Sequence, residues 1–138
     1  MFTAYSVRHY VLLLFIGLCA GCTHEMDTDR IFADEEFMLI SYNPEKHRLP
    51  PGIGSVRIER GDETWDTLRA WFDTHNTYWQ REDVNNYHQV ISLRGDALQI
   101  DIHETLIRIG FNNEKGYFRQ YWRSCRLKEF DFLLALNK

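Results

Sequence analysis

Between Gln89 and Phe111 apolar and polar residues alternate almost without a break. Ile91 and Leu93 lead into Arg94-Gly95-Asp96. Leu98, Ile100 and Ile102 then alternate with Gln99, Asp101 and His103, and after Glu104 come Ile107, Ile109 and Phe111. Successive side chains of an extended chain point to opposite faces, so this pattern buries one face only as strand. Three short strands joined by tight turns make an antiparallel meander with one apolar side. The rest of the chain has to be compatible with that sheet.

The flanking segments supply candidates. Tyr117 to Arg126 reads as a fourth strand after the turn Asn112-Asn113-Glu114-Lys115-Gly116, and Ser55 to Glu59 alternates as another. Phe37 to Tyr42 is a short apolar run, a first strand or a packed arm. From Glu63 to about Asn76, Trp65, Leu68, Phe72 and His75 fall at helical spacing, with Trp71 beside them. Asp62 is placed to N-cap this helix, and Glu63 and Asp66 suit its positive end. Leu127, Phe130 and Leu134 mark a closing helix over 127–136. The expected fold class is α+β: an antiparallel meander of about four to five strands, with the aromatic helix and the C-terminal helix packed on one face.

The N-terminus carries a different signal. Arg8 precedes a run of apolar and small residues from Val11 to Ala20, which closes on Gly21-Cys22. Ten residues are too few to cross a bilayer as a helix, which takes roughly 17–25, and the layout is that of a secretory signal. It resembles the signal of a bacterial lipoprotein. That resemblance implies removal of residues 1–21 and lipid modification of Cys22, which becomes the new N-terminus. A diacylglyceryl group with a further chain such as palmitate anchors stably by itself, since two acyl chains hold where one gives only marginal binding. Thr23 stands where an Asp would favour inner-membrane retention, so the resemblance implies an outer-membrane location facing the periplasm. Residues 22–36, with Glu25, Asp27, Asp29, Asp34 and Glu35, are then expected to be a flexible tether, and residues 37–138 a single domain.

Cysteine usage and charge narrow the classes. Cys19 leaves with the signal and Cys22 is blocked, so Cys125 stands alone and no intrachain disulfide is available. Stability has to come from the core, with Cys125 acting as a small hydrophobe. The processed chain loses only Arg8 among charged residues and is one unit more negative than the −4 of the full chain. That is no electrostatic footprint for nucleic acid.

Arg-Gly-Asp occurs at 60–62 and again at 94–96, each where a turn is required, and reads as turn chemistry. His24, His47, His75, His88 and His103 survive processing without any metal-ligand spacing. Asp101 and His103 share one face of a strand but nothing in sequence completes a set, and they read as polar residues of a solvated sheet face. Ser92 and Ser124 lack a nucleophile elbow. The expectation is a non-enzyme with no metal and no cofactor. Trp71, Tyr78, Trp79, Arg81 and Tyr87 crowd the helix end and the loop that follows; they are the candidate partner-binding residues, because aromatic residues and Arg anchor interfaces.

The order of strand, aromatic helix, Trp-containing loop and β-meander over residues 55–111 resembles small bacterial lipoproteins, some of which are immunity proteins against effectors delivered into the periplasm. What this implies is a membrane-tethered binding protein without catalytic activity, held by Cys22 and acting on a protein partner. A structural or assembly accessory lipoprotein of an envelope complex is the alternative class, and an enzyme acting on envelope material is a third.

Overall fold

A computed structural model describes residues 23–41, 55–81, 88–112 and 118–137. The alternating stretch becomes β5 (Ile91–Arg94), β6 (Leu98–Ile102) and β7 (Leu106–Asn112), followed by β8 (Phe118–Ser124). The earlier strands are β1 (Thr23–His24), β2 (Glu36–Ser41), β3 (Ser55–Glu59) and β4 (Trp79–Arg81). Among the described residues they form one eight-stranded antiparallel sheet in the order β1-β4-β8-β7-β6-β5-β2-β3. The class is mixed α+β, as the alternation implies, but four to five strands is an undercount. β1 and β4 hold two and three residues, too few to show a period.

Register fixes the two faces. Leu39, Leu93, Ile100, Ile109 and Tyr121 are successive neighbours across the sheet, and Ile91, Ile102, Ile107 and Arg123 form the next row. The leucines and isoleucines of these rows are buried in one core with Trp65, Leu68 and Phe72 of α2 (Glu63–Thr74), and the half-buried Tyr121 packs against it. Trp65 stacks on Phe37 at 4.8 Å and Phe72 on Trp79 at 5.9 Å. Burying a side chain such as Leu68 or Phe72 contributes about 1.5–3 kcal/mol by removing its surface from water. α2 ends two residues earlier than its spacing suggests. The Thr74 hydroxyl donates to the Ala70 and Trp71 carbonyls, and His75 becomes the C-cap. At the other end the Asp62 carboxylate accepts from Glu59 N–H at 2.8 Å, fastening the turn from β3 instead of capping the helix through its side chain.

Two expectations are corrected. The acidic segment after Cys22 is not a tether: Thr23–His24 pair with β4, and α1 (Thr28–Ile31) places Ile31 and then Phe32 in the core beside Met26. Asp27 caps α1 by accepting from Asp29 N–H and Arg30 N–H, and Phe32 lies edge-on to Phe37, Trp65 and Phe72. Its acids make the segment polar in composition, but its apolar residues Met26, Ile31 and Phe32 are buried and hold it to the core. The closing helix is also not continuous. A 3-10 turn (Leu127–Phe130) precedes α3 (Asp131–Leu134), and a second 3-10 turn follows at Ala135–Asn137. Phe130 and Leu133 are the residues it buries.

Candidate functional site

The face of the meander turned away from α2 was expected to be solvated. Its centre is not. Asp101 is 1% exposed, and Ser92 and His103 are buried with it. Cross-strand register sets Ser92 beside Asp101, Asp101 beside Arg108, and Arg108 beside Trp122. Ser92 Oγ donates to Asp101 Oδ1 at 2.8 Å, Gln99 Nε2 donates to both carboxylate oxygens at 3.0 and 2.9 Å, and Arg108 Nη2 pairs with Oδ2. A buried carboxylate is tolerable only when its oxygens find donors in this way. His103 lies two residues along the same face. Burial pushes its pKa below the ordinary 6.5, assisted by the Arg108 charge and opposed by a backbone hydrogen bond at His88 and by Asp101. The imidazole is therefore neutral at pH 7.

Among the described residues the Asp101 carboxylate gathers Ser92, Gln99 and Arg108 into one polar network. The Ser92 proton is directed at a carboxylate that already holds Arg108 and Gln99, and no histidine stands between hydroxyl and carboxylate as a relay would require. Among the described residues no group of three His, Cys, Asp or Glu side chains is placed to hold a metal ion.

The second feature is the turn after α2. Tyr78 is 70% exposed and has φ of 65°, in the left-handed region that a bulky residue enters only at a cost of about 1–2 kcal/mol. Its neighbours are held on both sides. Trp79 is fully buried and its Nε1 donates to the His75 carbonyl at 2.8 Å. Arg123 Nη1 donates to that same carbonyl at 3.0 Å and to the Thr77 carbonyl. Met26 N–H donates to the Asn76 carbonyl at 2.6 Å. Carbonyls left over at a helix C-terminus need such donors, and satisfying them fixes the path that projects Tyr78.

The aromatic cluster read from sequence thus divides. Tyr78 is displayed. Trp79 is a core residue and offers no surface to a partner. Trp71 is half-buried, stacked on His75 at 4.3 Å and donating Nε1 to Glu129 Oε2 at 3.0 Å, which ties α2 to the C-terminal turn. Burial opposes ionisation of Glu129, yet the Trp71 and Arg126 N–H donors and the His75 and Arg126 charges outweigh it, so its pKa is lowered. Arg81 is exposed on β4 beside Tyr121. Tyr87 and Cys22 lie outside the described residues. Arg108 and Arg123 were not singled out from sequence. For Arg108 a signal existed: a turn centred on Glu104 and Thr105 sets Asp101 opposite Arg108. Arg123 had none, because its carbonyl partners lie 46 and 48 residues away.

Cys125 packs against the core, and burial, with Glu129 nearby, pushes its thiol up to about 12, while Arg123 acts in the other direction. Both Arg-Gly-Asp tripeptides sit at turns. Gly61 has φ of 94°, and a side chain at Gly95 would collide with Asp34 and Phe37. No helix among the described residues is long and apolar enough to cross a membrane. No protein-family model, curated protein or solved structure matches the chain.

Proposed function

We propose that this chain is a non-catalytic binding protein of the bacterial cell envelope, anchored through lipid on Cys22, and that it engages a protein partner through the turn bearing Tyr78. The observation that carries the reading is Tyr78 itself: a large, exposed aromatic side chain held in a costly backbone conformation by hydrogen bonds on both sides. Backbone strain of this kind clusters where function demands a fixed presentation, and a rigid Tyr contributes contact area at small entropic cost. Its sharpest form is an immunity protein that neutralises an effector delivered to the periplasm. An assembly role in an envelope complex makes the same demand on Tyr78, and a neighbouring gene for a toxin or for envelope machinery separates the two. The Ser92–Asp101 network favours neither.

The test has two parts. Cys22→Ser should abolish labelling by palmitate and release the protein from membranes washed at high salt; labelling or salt-resistant membrane retention in that variant ends the lipoprotein reading. A photo-crosslinking residue at position 78, introduced in cells, should give one discrete adduct, while the same residue at the exposed helix position Asp73 gives none. Identical behaviour at both positions removes Tyr78 from the interface. With the partner in hand, Tyr78→Ala should weaken binding by about 2 kcal/mol or more, as truncation of an aromatic anchor commonly does.

A further inference from the structure

Charge is distributed unevenly along the strand order. At one edge β2 and β3 carry Glu36 and Glu59, with Arg57 between them in ion-pair distance of both. At the other, β1, β4 and β8 carry Arg81, Arg119 and Arg123 and no carboxylate. Arg81 neighbours Tyr121 across β4 and β8, and Arg119 neighbours Phe111 across β8 and β7. Tyr121 and Phe111 stack at 5.6 Å, His24 meets Tyr121 edge-on at 5.4 Å, and the Arg30 guanidinium lies 4.2 Å over the Phe111 ring. Three exposed arginines from α1, β4 and β8 therefore surround one pair of rings. Of the acids in and before α1, Asp29 pairs with Arg69 and Asp27 caps the helix. Among the described residues no carboxylate forms an ion pair with Arg30, Arg81 or Arg119.

We infer that this arginine-rimmed aromatic face docks on an anionic bilayer surface, the same membrane that holds the lipid on Cys22. The inference rests on the lipoprotein reading, and on where the chain preceding the structure ends. Cys22 is covalently joined to Thr23, so their Cα atoms lie about 3.8 Å apart. Thr23 pairs with Gln80, the residue before Arg81. With no tether between the acylated residue and the sheet edge, the headgroups nearest the anchor meet Arg81 first. Basic groups beside a membrane anchor are attracted to anionic lipid, and Tyr sits well at the interface. The docked domain then stands with β1 and β4 against the membrane and its acidic β3 edge away from it.

The core residues run from Met26 to Leu133, so a chain of residues 23–138 keeps the whole described core and serves for the assay. Its partition would be measured onto vesicles of phosphatidylcholine alone and with phosphatidylglycerol added, at low and high salt. Binding is expected only with phosphatidylglycerol, and salt should release it. Each arginine near such a surface is worth about a fivefold change in partition, so Arg81→Gln with Arg119→Gln should reduce binding about twenty-fivefold with an unchanged circular dichroism spectrum. Equal binding to neutral vesicles, no binding to anionic ones, or indifference to the double substitution overturns the inference. Palmitate labelling of the full chain is scored separately. A labelled chain whose arginine face ignores anionic vesicles keeps its anchor and loses this docking mode; an unlabelled chain loses the anchor reading and, with it, the reason for this face to meet a bilayer.

Discussion

The ion pair between Asp101 and Arg108 gives the sharpest quantitative test of the buried polar face. Asp101→Ala removes the acceptor shared by Arg108, Ser92 and Gln99. The Arg108 side chain retains 18% exposure, so its charge reaches water only in part. Removing one partner of a buried pair commonly costs about 3–5 kcal/mol. An orphaned buried hydroxyl such as that of Ser92 costs about 1–3 kcal/mol on its own scale, overlapping with that total instead of adding to it. Native domains are stable by only about 5–15 kcal/mol, so this one substitution removes a large fraction. Urea unfolding followed by tryptophan fluorescence is the assay, and at an m-value of about 2 kcal/mol/M the midpoint should fall by about 2 M.

The companion variant decides the cause. Asp101→Leu with Arg108→Met removes both charges, and replacing a buried pair by apolar residues is often neutral or stabilising by about 1–4 kcal/mol. With Ser92 and Gln99 still lacking their acceptor, the double variant should lie within about 2 kcal/mol of the parent. Asp101→Leu and Arg108→Met, each measured alone, should together cost up to about 3 kcal/mol more than the double variant, a coupling expected only of residues in contact or in one network. A cost below about 1 kcal/mol for Asp101→Ala, the range of an exposed pair, would falsify the claim that this face is sealed from water.

Trp79→Ala should destabilise by about 3–5 kcal/mol in the same unfolding assay, as removal of a wholly buried aromatic does, whereas Tyr78→Ala should leave the midpoint nearly unchanged. Tyr78→Gly should raise stability by about 1 kcal/mol in relieving the left-handed strain while reducing partner binding; lower stability would mean that the Tyr78 ring supports the fold. His103 has a pKa below 6.5 in the folded chain, so the unfolded state takes up its proton first and stability present above pH 6.5 should fall as the pH drops below that value. Comparing parent and His103→Gln across that range isolates the effect, and parallel curves would count against it. Cys125, with its thiol pushed to about 12, should resist iodoacetamide at neutral pH until the chain is unfolded. Rapid labelling of native protein contradicts the packing seen around it.

Most of this sheet is readable in the sequence, from β3 at one edge to β8, while β1 and β4 at the other edge are hidden. β5 to β8 are regular enough for period two to place Leu98, Ile100 and Ile102 on the core face without a structure. The same alternation says nothing about what lies over the other face, and so Asp101 and His103 read as solvated residues although both are buried. Complementarity was the missing clue, since Ser92, Gln99 and Arg108 form a donor set around one carboxylate only after the hairpins are closed. β1 and β4 exist through their pairing with each other and of β4 with β8, which carries no local pattern. Of the aromatic cluster, sequence gave the region but not the roles. Trp71, Tyr78 and Trp79 have similar chemistry, and only backbone geometry separates a brace, a displayed side chain and a core residue.

Under the proposed function, attachment without a tether changes what the anchor does. A flexible linker lets a domain search a volume and leaves its binding surface free in orientation. Here the residues that follow Cys22 are the ones that hold the Tyr78 turn: His24 pairs with Trp79, and Met26 N–H bonds the Asn76 carbonyl. A force or a constraint applied at the anchor is therefore carried directly into the segment that presents Tyr78. Under the proposed function this fixes the height and direction of the binding surface above the bilayer, so a partner arriving along the membrane pays no entropy for orienting it. The strain at Tyr78 and the arginine at the end of β4 then act together, one fixing the side chain on the domain and the other fixing the domain on the bilayer.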